Sequence, residues 1–273
     1  KANAPGYKIG AFAICTPWNP ETNYFMDAAL SQIPSDKKDL FDAITLHPYM
    51  TLHMDPEIGV CGKESGASTN AQKAFDGVSY RMDNVKALVT GGTVFNHYSN
   101  ANENQTGTIT GNSYSQNLTE PPWITEYGVS SADYDSRNND FLNCKNEYDQ
   151  AIWLIRGLNQ IKLNNINNKV WFYDFADDGD RINEKEHCFG VVHSTTNEVP
   201  YSAKYAYLSL AAFNKLTEGA VSAEEVKNDA YKFITKYHSE NRDTYMLWTT
   251  KSAEQTISYN FGANVKYYDL LGN

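Results

Sequence analysis

The sequence predicts an α/β fold of parallel strands and helices, followed by a small antiparallel β domain. Up to Gly219, four apolar runs of strand length each precede a segment long enough to cross back as a helix, and such runs are typical of a parallel sheet buried on both faces. After Gly219 the apolar residues alternate with a period of two. We therefore place an α/β domain at residues 1–218 and an antiparallel β domain, which we expect to be incomplete, at residues 219–273.

Composition excludes several classes of partner. A hydrophobic fraction of 41% and a charged fraction of 21% indicate a globular protein with a sizeable core. The net charge of -10 argues against nucleic acid or an anionic membrane surface as a partner. Because no apolar run approaches the roughly 20 residues of a membrane span, we expect no membrane association. We also expect no cofactor.

The first two strands are predicted at Tyr7–Cys15, opened by a Pro-Gly pair, and at Phe41–Tyr49, where Pro48 ends the apolar run. A long polar loop over 50–70 and a helix over 71–89 follow.

The polar, Asn-rich stretch 91–120 lacks periodicity and predicts a surface insertion. The next strand is Trp123–Gly128. A helix over about 143–163 follows, and its inner face is predicted to carry Tyr148, Ile152, Ile155 and Leu158.

The fourth strand is predicted at Lys169–Phe175. The acidic loop behind it, Asp177-Asp178-Gly179-Asp180, is typical of a solvated turn, and its spacing does not follow a calcium loop. Pro200 begins a last helix that stops near Gly219. Its inner side is predicted to carry Tyr205, Leu208, Ala211 or Ala212, and Leu216.

The strands of the antiparallel domain are predicted at 231–237, 245–249, 257–261 and 265–267.

Cysteines and sequons bear on location. The four cysteines are far apart without metal-ligand spacing, so buried thiols and one or two disulfides both stay open. Glycosylation sequons at Asn104 and Asn117 favour an extracellular or secreted protein.

Polar and aromatic side chains follow three of the predicted strands. Glu126 stands where its strand ends, His47 and Tyr49 close the second strand, and Trp171 and Tyr173 lie on one face of the fourth. Each has an ordinary alternative: a solvated loop carboxylate for Glu126, a strand cap for His47, and amphipathic packing for the tyrosines.

These strand ends also carry a resemblance to a known family. With Leu46-His-Pro-Tyr49, Thr125-Glu-Tyr-Gly128 and Phe172-Tyr-Asp-Phe-Ala-Asp-Asp-Gly179 in this order, the chain resembles the second half of a clan A retaining glycoside hydrolase, closest to family 39 and the cellulase-like enzymes. Phe189-Gly-Val-Val192, followed by Pro200-Tyr-Ser-Ala-Lys-Tyr205, is similar to the lead-in of their last helix. The resemblance implies strands five to eight of a (β/α)8 TIM barrel, with a β-sandwich after them.

The resemblance also assigns roles. It implies that Glu126 is the catalytic nucleophile, that His47 and Tyr49 line the sugar subsite, and that the Tyr49 hydroxyl steadies the nucleophile. Tyr173 matches an aromatic platform, and Trp171 shares its strand face. Such a site makes chemical sense, because donors around a carboxylate favour its ionised form and aromatic faces bind the C–H surface of a sugar.

One member of the catalytic pair does not match. The family's proton donor is the Glu of an Asn-Glu pair after strand four, whereas the resemblance implies that this chain starts at strand five. The Asn-Glu steps that it does contain follow no apolar strand; they lie at residues 102–103, 146–147, 183–184 and 197–198. We therefore expect the acid/base outside this chain, in an upstream segment or a partner chain that completes the barrel. The alternative is a non-catalytic carbohydrate-binding or structural extracellular protein derived from the barrel.

Overall fold

The computed structural model describes residues 6–14, 28–34, 36–47, 93–100, 103–110, 116–132, 146–229, 231–249 and 254–273. The predicted loop 50–70, the predicted helix 71–89, Tyr49 and three of the cysteines lie outside these ranges. The elements are β1 (Gly10–Ile14), β2 (Ala43–Leu46), β3 (Thr93–Asn100), β4 (Glu103–Thr110), β5 (Trp123–Tyr127), α1 (Glu147–Asn164), β6 (Lys169–Phe172), a 3-10 turn (Lys185–Cys188), α2 (Tyr205–Thr217), β7 (Ser222–Asp229), β8 (Lys232–Ser239) and β9 (Arg242–Thr249).

Two compact units make up the described structure. The first contains its residues up to Gly128 together with 167–173, and the second contains 129–166 and 174–273. The domain boundary predicted after residue 218 stays a prediction.

A four-stranded parallel sheet forms the centre of the first unit, with strand order β1-β2-β5-β6. The mixed α/β class and the parallel sheet are thus confirmed. All four residues of β2 are buried, as expected for a strand covered on both faces. The strands are shorter than predicted, because β2 ends before His47 and β6 ends at Phe172, which leaves Phe175 largely exposed.

Asp42 fixes the starting ends of these strands. Its buried carboxylate accepts hydrogen bonds from the Ile9 amide at 2.9 Å and from the Thr119 hydroxyl at 2.9 Å. Its backbone carbonyl accepts from the amides of Thr119 and Glu120, both at 3.0 Å. One residue therefore ties together the segments that lead into β1, β2 and β5.

Gly10 lets β1 approach the sheet closely. A methyl group at this position would lie 2.5 Å from Cγ2 of Thr45 and 2.8 Å from the ring of Trp123. Because real Cβ atoms do not approach other carbons this closely, the packing of Thr45 and Trp123 on this face requires a glycine.

The surface insertion predicted for 91–120 contains regular structure instead. β3 and β4 pair as an antiparallel hairpin that runs from Thr93 opposite Thr110 to Asn100 opposite Glu103. A surface insertion stays a prediction, but the hairpin itself was not predicted. The sequences TVFNHYSN and ENQTGTIT are mostly polar and lack a regular alternation of apolar and polar residues. Their threonines and aromatic residues nevertheless favour extended backbone.

In the second unit, both helices form close to their predicted positions. In α1 the predicted Ile155 and Leu158 are buried, together with Ala151, Leu154 and Ile161, whereas the predicted Tyr148 is exposed. In α2, Ala206, Leu210 and Phe213 are buried, while Tyr205 and Leu208 are largely exposed. The prediction placed Tyr148 and Tyr205 on the inner faces of the helices. Their rings instead pack against each other edge to face, with ring centres 5.8 Å apart.

Gln150 connects α1 to two loops. Its side-chain amide lies 2.8 Å from the Val129 carbonyl oxygen and 3.2–3.3 Å from the carbonyl oxygens of Cys188, Phe189 and Gly190. The Gln150 side chain is fully buried, so these backbone carbonyls find their donor inside the protein. The helix thereby holds both loops in place.

The predicted antiparallel pairing is confirmed by a three-stranded sheet, β7-β8-β9, whereas a separate domain at 219–273 stays a prediction. β8 and β9 match the predicted alternation, and β7 was missed because its sequence, SAEEVKND, is charged and polar. Residues 257–261 and 265–267 are not strands, although Tyr259 and Phe261 pack their rings on Tyr245 of β9. The alternation there arises from this packing.

Asp177 is not part of a solvated turn, which corrects the prediction for the acidic loop. Its side chain is only 8% exposed, and its carboxylate accepts from the ammonium group of Lys204 at 3.0 Å. Lys204 is 1% exposed and also donates to the Ser131 hydroxyl at 2.9 Å. Asp178 remains exposed, as predicted. A buried charge pair therefore joins the acidic loop to the residue that precedes α2.

We expect Lys204→Met to destabilise the protein strongly, because it leaves the Asp177 carboxylate buried without its cation. The loss should be about 3–5 kcal/mol in the free energy of unfolding, measured by urea denaturation. Lys215→Met is the matched control, since Lys215 pairs with Glu218 on the surface at 2.7 Å and its loss should cost less than about 1 kcal/mol. Equal losses in the two variants would contradict the structural role of Lys204.

The same variant should change how stability depends on pH. Burial raises the pKa of Asp177, and Lys204 opposes this increase. A carboxyl whose pKa is raised on folding contributes stability below its unfolded pKa of about 3.9 and loses that contribution as the pH rises through its folded pKa. Without Lys204 the folded pKa rises further, so Lys204→Met should lose more stability than the wild type from about pH 4 upward.

Unfolding titrations across this pH range check the expectation. The double variant Lys204→Met/Asp177→Asn should lack the additional pH dependence, because the titrating group is gone. Parallel pH profiles for Lys204→Met and the wild type would show that Asp177 is not the group responsible.

Candidate functional site

The ends of β2 and β5 bring together residues that are far apart in sequence. The two strands are parallel neighbours, with Thr45 opposite Trp123 and Leu46 opposite Ile124. In a parallel sheet the carboxyl ends of the strands lie along one edge, which is where ligands bind in α/β proteins. His47 and Glu126 follow these paired positions.

His47 contacts both of the residues that follow Ile124. Its Nδ1 atom lies 3.3 Å from Oε2 of Glu126, and its Nε2 atom lies 3.0 Å from the hydroxyl oxygen of Thr125. The imidazole is therefore held at both nitrogens. A ring fixed in this way can donate through Nδ1–H to the carboxylate while Nε2 accepts from the threonine hydroxyl.

An irregularity in β5 makes this double contact possible. Between the paired positions Ile124–Val170 and Tyr127–Phe172, β5 advances by three residues while β6 advances by two. Such a bulge breaks the alternation of side chains between the two faces of a strand. Consecutive residues Thr125 and Glu126 can therefore both reach one imidazole ring.

The site combines a sheltered ring with an accessible carboxylate. The side chain of His47 is 17% exposed, whereas that of Glu126 is 39% exposed. Glu126 is thus accessible to a molecule from solvent while it contacts a partly buried neighbour. This arrangement suits a carboxylate that must react with, or bind, an external group.

The predicted aromatic residues lie on β6 and just beyond it. Trp171 is half-exposed and packs against Trp123 with ring centres 6.3 Å apart. Tyr173 is half-buried, and its amide donates to the Tyr127 carbonyl at 3.0 Å, which continues the strand pairing past the end of β6. Tyr49, predicted to steady Glu126, lies outside the described residues.

A separate ionic cluster stands at the beginning of β5 and β6. The Lys169 ammonium lies 3.1 Å from Oε2 of Glu120 and 4.9 Å from the ring centre of Trp123. The hydrogen bond from Lys169 lowers the pKa of Glu120, and the nearby Lys8 adds to this effect. These charges complement one another, so Glu120 is a structural carboxylate.

Thr125 was not singled out from the sequence. The only available signal was its position beside Glu126, and its contact with His47 depends on the bulge. Within the residues that the structure describes, no group of three or more histidine, cysteine or acidic side chains could hold a metal ion. Across the same residues, no helix has the length and apolar character needed to cross a membrane.

Comparison with known proteins gives a likeness in fold. A solved structure described as a family 39 glycoside hydrolase from the gut symbiont Bacteroides cellulosilyticus WH2 superimposes with a TM-score of 0.51 at 22% sequence identity. The match covers 83% of this chain and 37% of that one, so the chain spans little more than a third of the length of its structural neighbour. No family model matches the sequence, and no curated protein matches it significantly. The chain therefore has a glycoside hydrolase-like fold.

Proposed function

We propose that this chain is the C-terminal part of a retaining glycoside hydrolase, with Glu126 as its nucleophile. The contact between His47 and Glu126, in a bulge at the carboxyl end of two parallel strands, carries the proposal. The fold likeness to a family 39 glycoside hydrolase supports it. The four parallel strands would be strands five to eight of a (β/α)8 barrel, and the antiparallel sheet would belong to the β-sandwich that follows.

In the proposed reaction, the Glu126 carboxylate attacks the anomeric carbon of a poly- or oligosaccharide. The bond from that carbon to the leaving oxygen breaks, and an ester between the sugar and Glu126 forms. A second carboxyl group donates a proton to the leaving oxygen. Water then attacks the same anomeric carbon and gives up its proton to the second carboxylate, while the bond from that carbon to Glu126 breaks and frees the Glu126 carboxylate.

His47 would act by positioning the nucleophile. Its Nδ1 atom lies 3.3 Å from Oε2 of Glu126, so the ring fixes the position of the carboxylate that forms the new bond. Thr125 holds the opposite side of the ring and so fixes its orientation. Trp171, half-exposed on the neighbouring strand, and Tyr173 would bind the apolar face of the sugar, with Tyr49 completing the subsite.

The proposal places the acid/base residue outside the 273 residues of this chain. In retaining enzymes the two carboxyl groups stand about 5–5.5 Å apart. In the described sheet, β1 and β6 are the edge strands. An upstream segment or a partner chain that pairs with these edges would complete the barrel and supply the second carboxyl group. The two sequons extend the proposal to a secreted location.

An activated 2-deoxy-2-fluoro glycoside tests Glu126 directly. The activating group is a dinitrophenyl group. It leaves as dinitrophenolate without needing a proton, so labelling does not require the acid/base. We expect a panel of such glycosides to add one sugar mass to the protein, and peptide mapping to locate it on Glu126.

Glu126→Gln should abolish this labelling. Glu120→Gln, six residues earlier in the same unit, should keep it, because Glu120 is engaged by Lys169 away from the proposed site. Absence of a sugar adduct from the wild-type protein across the panel would contradict the catalytic role of Glu126 and favour a carbohydrate-binding protein.

We expect His47→Ala to slow the labelling by roughly 10²-fold, because the carboxylate loses the group that fixes its position. The rate of adduct formation, followed by intact mass, measures this effect. His238→Ala is the matched control, since it removes another histidine paired with a carboxylate, Asp243 at 2.7 Å, on the exposed surface of β8 and β9. Equal rates for His47→Ala and the wild type would remove His47 from the site.

A further inference from the structure

The second unit contains a cavity that the proposed hydrolysis does not use. Its volume is about 270 Å³, and its walls come from the loop after β5, the first turn of α1 and the loop between β6 and α2. The polar lining includes Ser131, Glu147, Asp177, Asp180, His193 and Asn197. At about 30 Å³ per water molecule in the liquid, this space corresponds to about nine waters. It suits one small molecule, since pockets for drug-sized ligands begin near 300 Å³.

The carboxylates that line the cavity already have partners. Asp177 pairs with the buried Lys204 at 3.0 Å. The imidazole of His193 lies 3.1 Å from Glu147 and 3.8 Å from Asp177. Asp180 accepts hydrogen bonds from the hydroxyl groups of Ser194 and Thr196. Because each of these carboxylates already has a partner within the unit, a neutral ligand that adds further hydrogen bonds need not displace Lys204 or His193.

The lining nevertheless retains hydrogen-bonding capacity of both kinds. A carboxylate offers about four acceptor positions, of which the contacts of Glu147 use only part. Asn197 accepts from the Val199 amide through its side-chain oxygen, at 3.2 Å, and among the described residues its amide hydrogens have no acceptor. Acceptors and donors on the same wall match hydroxyl groups, each of which both donates and accepts.

The cavity is also built on fixed elements. Lys204 holds Ser131 and Asp177 at hydrogen-bonding distance, and Gln150 binds the carbonyls at 188–190. A methyl group at Gly190 would lie 2.1 Å from the Asp177 amide nitrogen, so the backbone beside the acidic loop is tightly packed. A preformed site loses less conformational entropy when it binds a ligand.

We propose that this cavity binds one neutral molecule of monosaccharide size that carries several hydroxyl groups. Glu147 and Asp177 accept from its hydroxyls, and the Asn197 amide donates to them. Ile182 and Cys188, which also line the cavity, provide the apolar wall that the C–H face of such a molecule contacts. All of the cavity's described lining residues belong to the second unit, whereas Glu126 belongs to the first.

Ligand-observed NMR titrations of the full chain with glucose, xylose, galactose, mannose and myo-inositol test the proposal. We expect saturable binding of at least one of these compounds. Glu147→Gln and Asn197→Ala should each weaken it about tenfold, which corresponds to the loss of a hydrogen bond of about 1.4 kcal/mol. Glu198→Gln and Asn183→Ala, at exposed positions of the same loop outside the cavity, should bind like the wild type.

A His47→Ala variant separates this cavity from the proposed active site. Binding that survives His47→Ala and is weakened by Glu147→Gln supports the proposal, even where the fluoro glycosides give no adduct with Glu126. Binding that is lost in His47→Ala and unchanged in Glu147→Gln would place the sugar at Glu126 and overturn it. The absence of any saturable binding, or preferential binding of calcium or ethylammonium ions, would overturn it as well.

Discussion

The contacts of His47 in the candidate site depend on one additional residue in β5. A regular strand would direct Thr125 and Glu126 to opposite faces, and His47 could then contact only one of them. The bulge opposite β6 removes this alternation, so both nitrogens of the imidazole are engaged by consecutive residues. The contact depends in turn on the pairing of Leu46 with Ile124, because a shift of β2 by one residue would turn the ring to the other face.

The two ends of the parallel sheet have different chemistry. At the starting ends, Asp42 and Glu120 are fully engaged by backbone amides, a hydroxyl group and lysines, which hold the strands in place. At the carboxyl ends, Glu126 has a histidine neighbour and remains partly accessible. Ligand sites of parallel α/β sheets usually lie at the carboxyl ends of the strands, so this difference supports the proposed role of Glu126.

The strands of the sheet could be predicted because their apolar runs are bounded by proline and glycine, and the proximity of His47 to Glu126 follows once the strands are parallel. The bulge could not be predicted, since it arises from the pairing of β5 with β6 and has no local signal. The burial of Asp177 was missed for a similar reason: its partner, Lys204, lies 27 residues away. The hairpin of β3 and β4 was not predicted, because its mostly polar sequence lacks the alternation from which strands are recognised.

The amide of Gln150 has a consequence for how this protein can vary. An NH2 group has two hydrogens, yet four carbonyl oxygens from two loops lie within 3.3 Å of it. The loops at 129 and 188–190 thus share a single donor, and a change of length in either would withdraw carbonyls from it. Insertions and deletions in the two loops are therefore not independent, and we expect lineages to alter them together or to leave both unchanged.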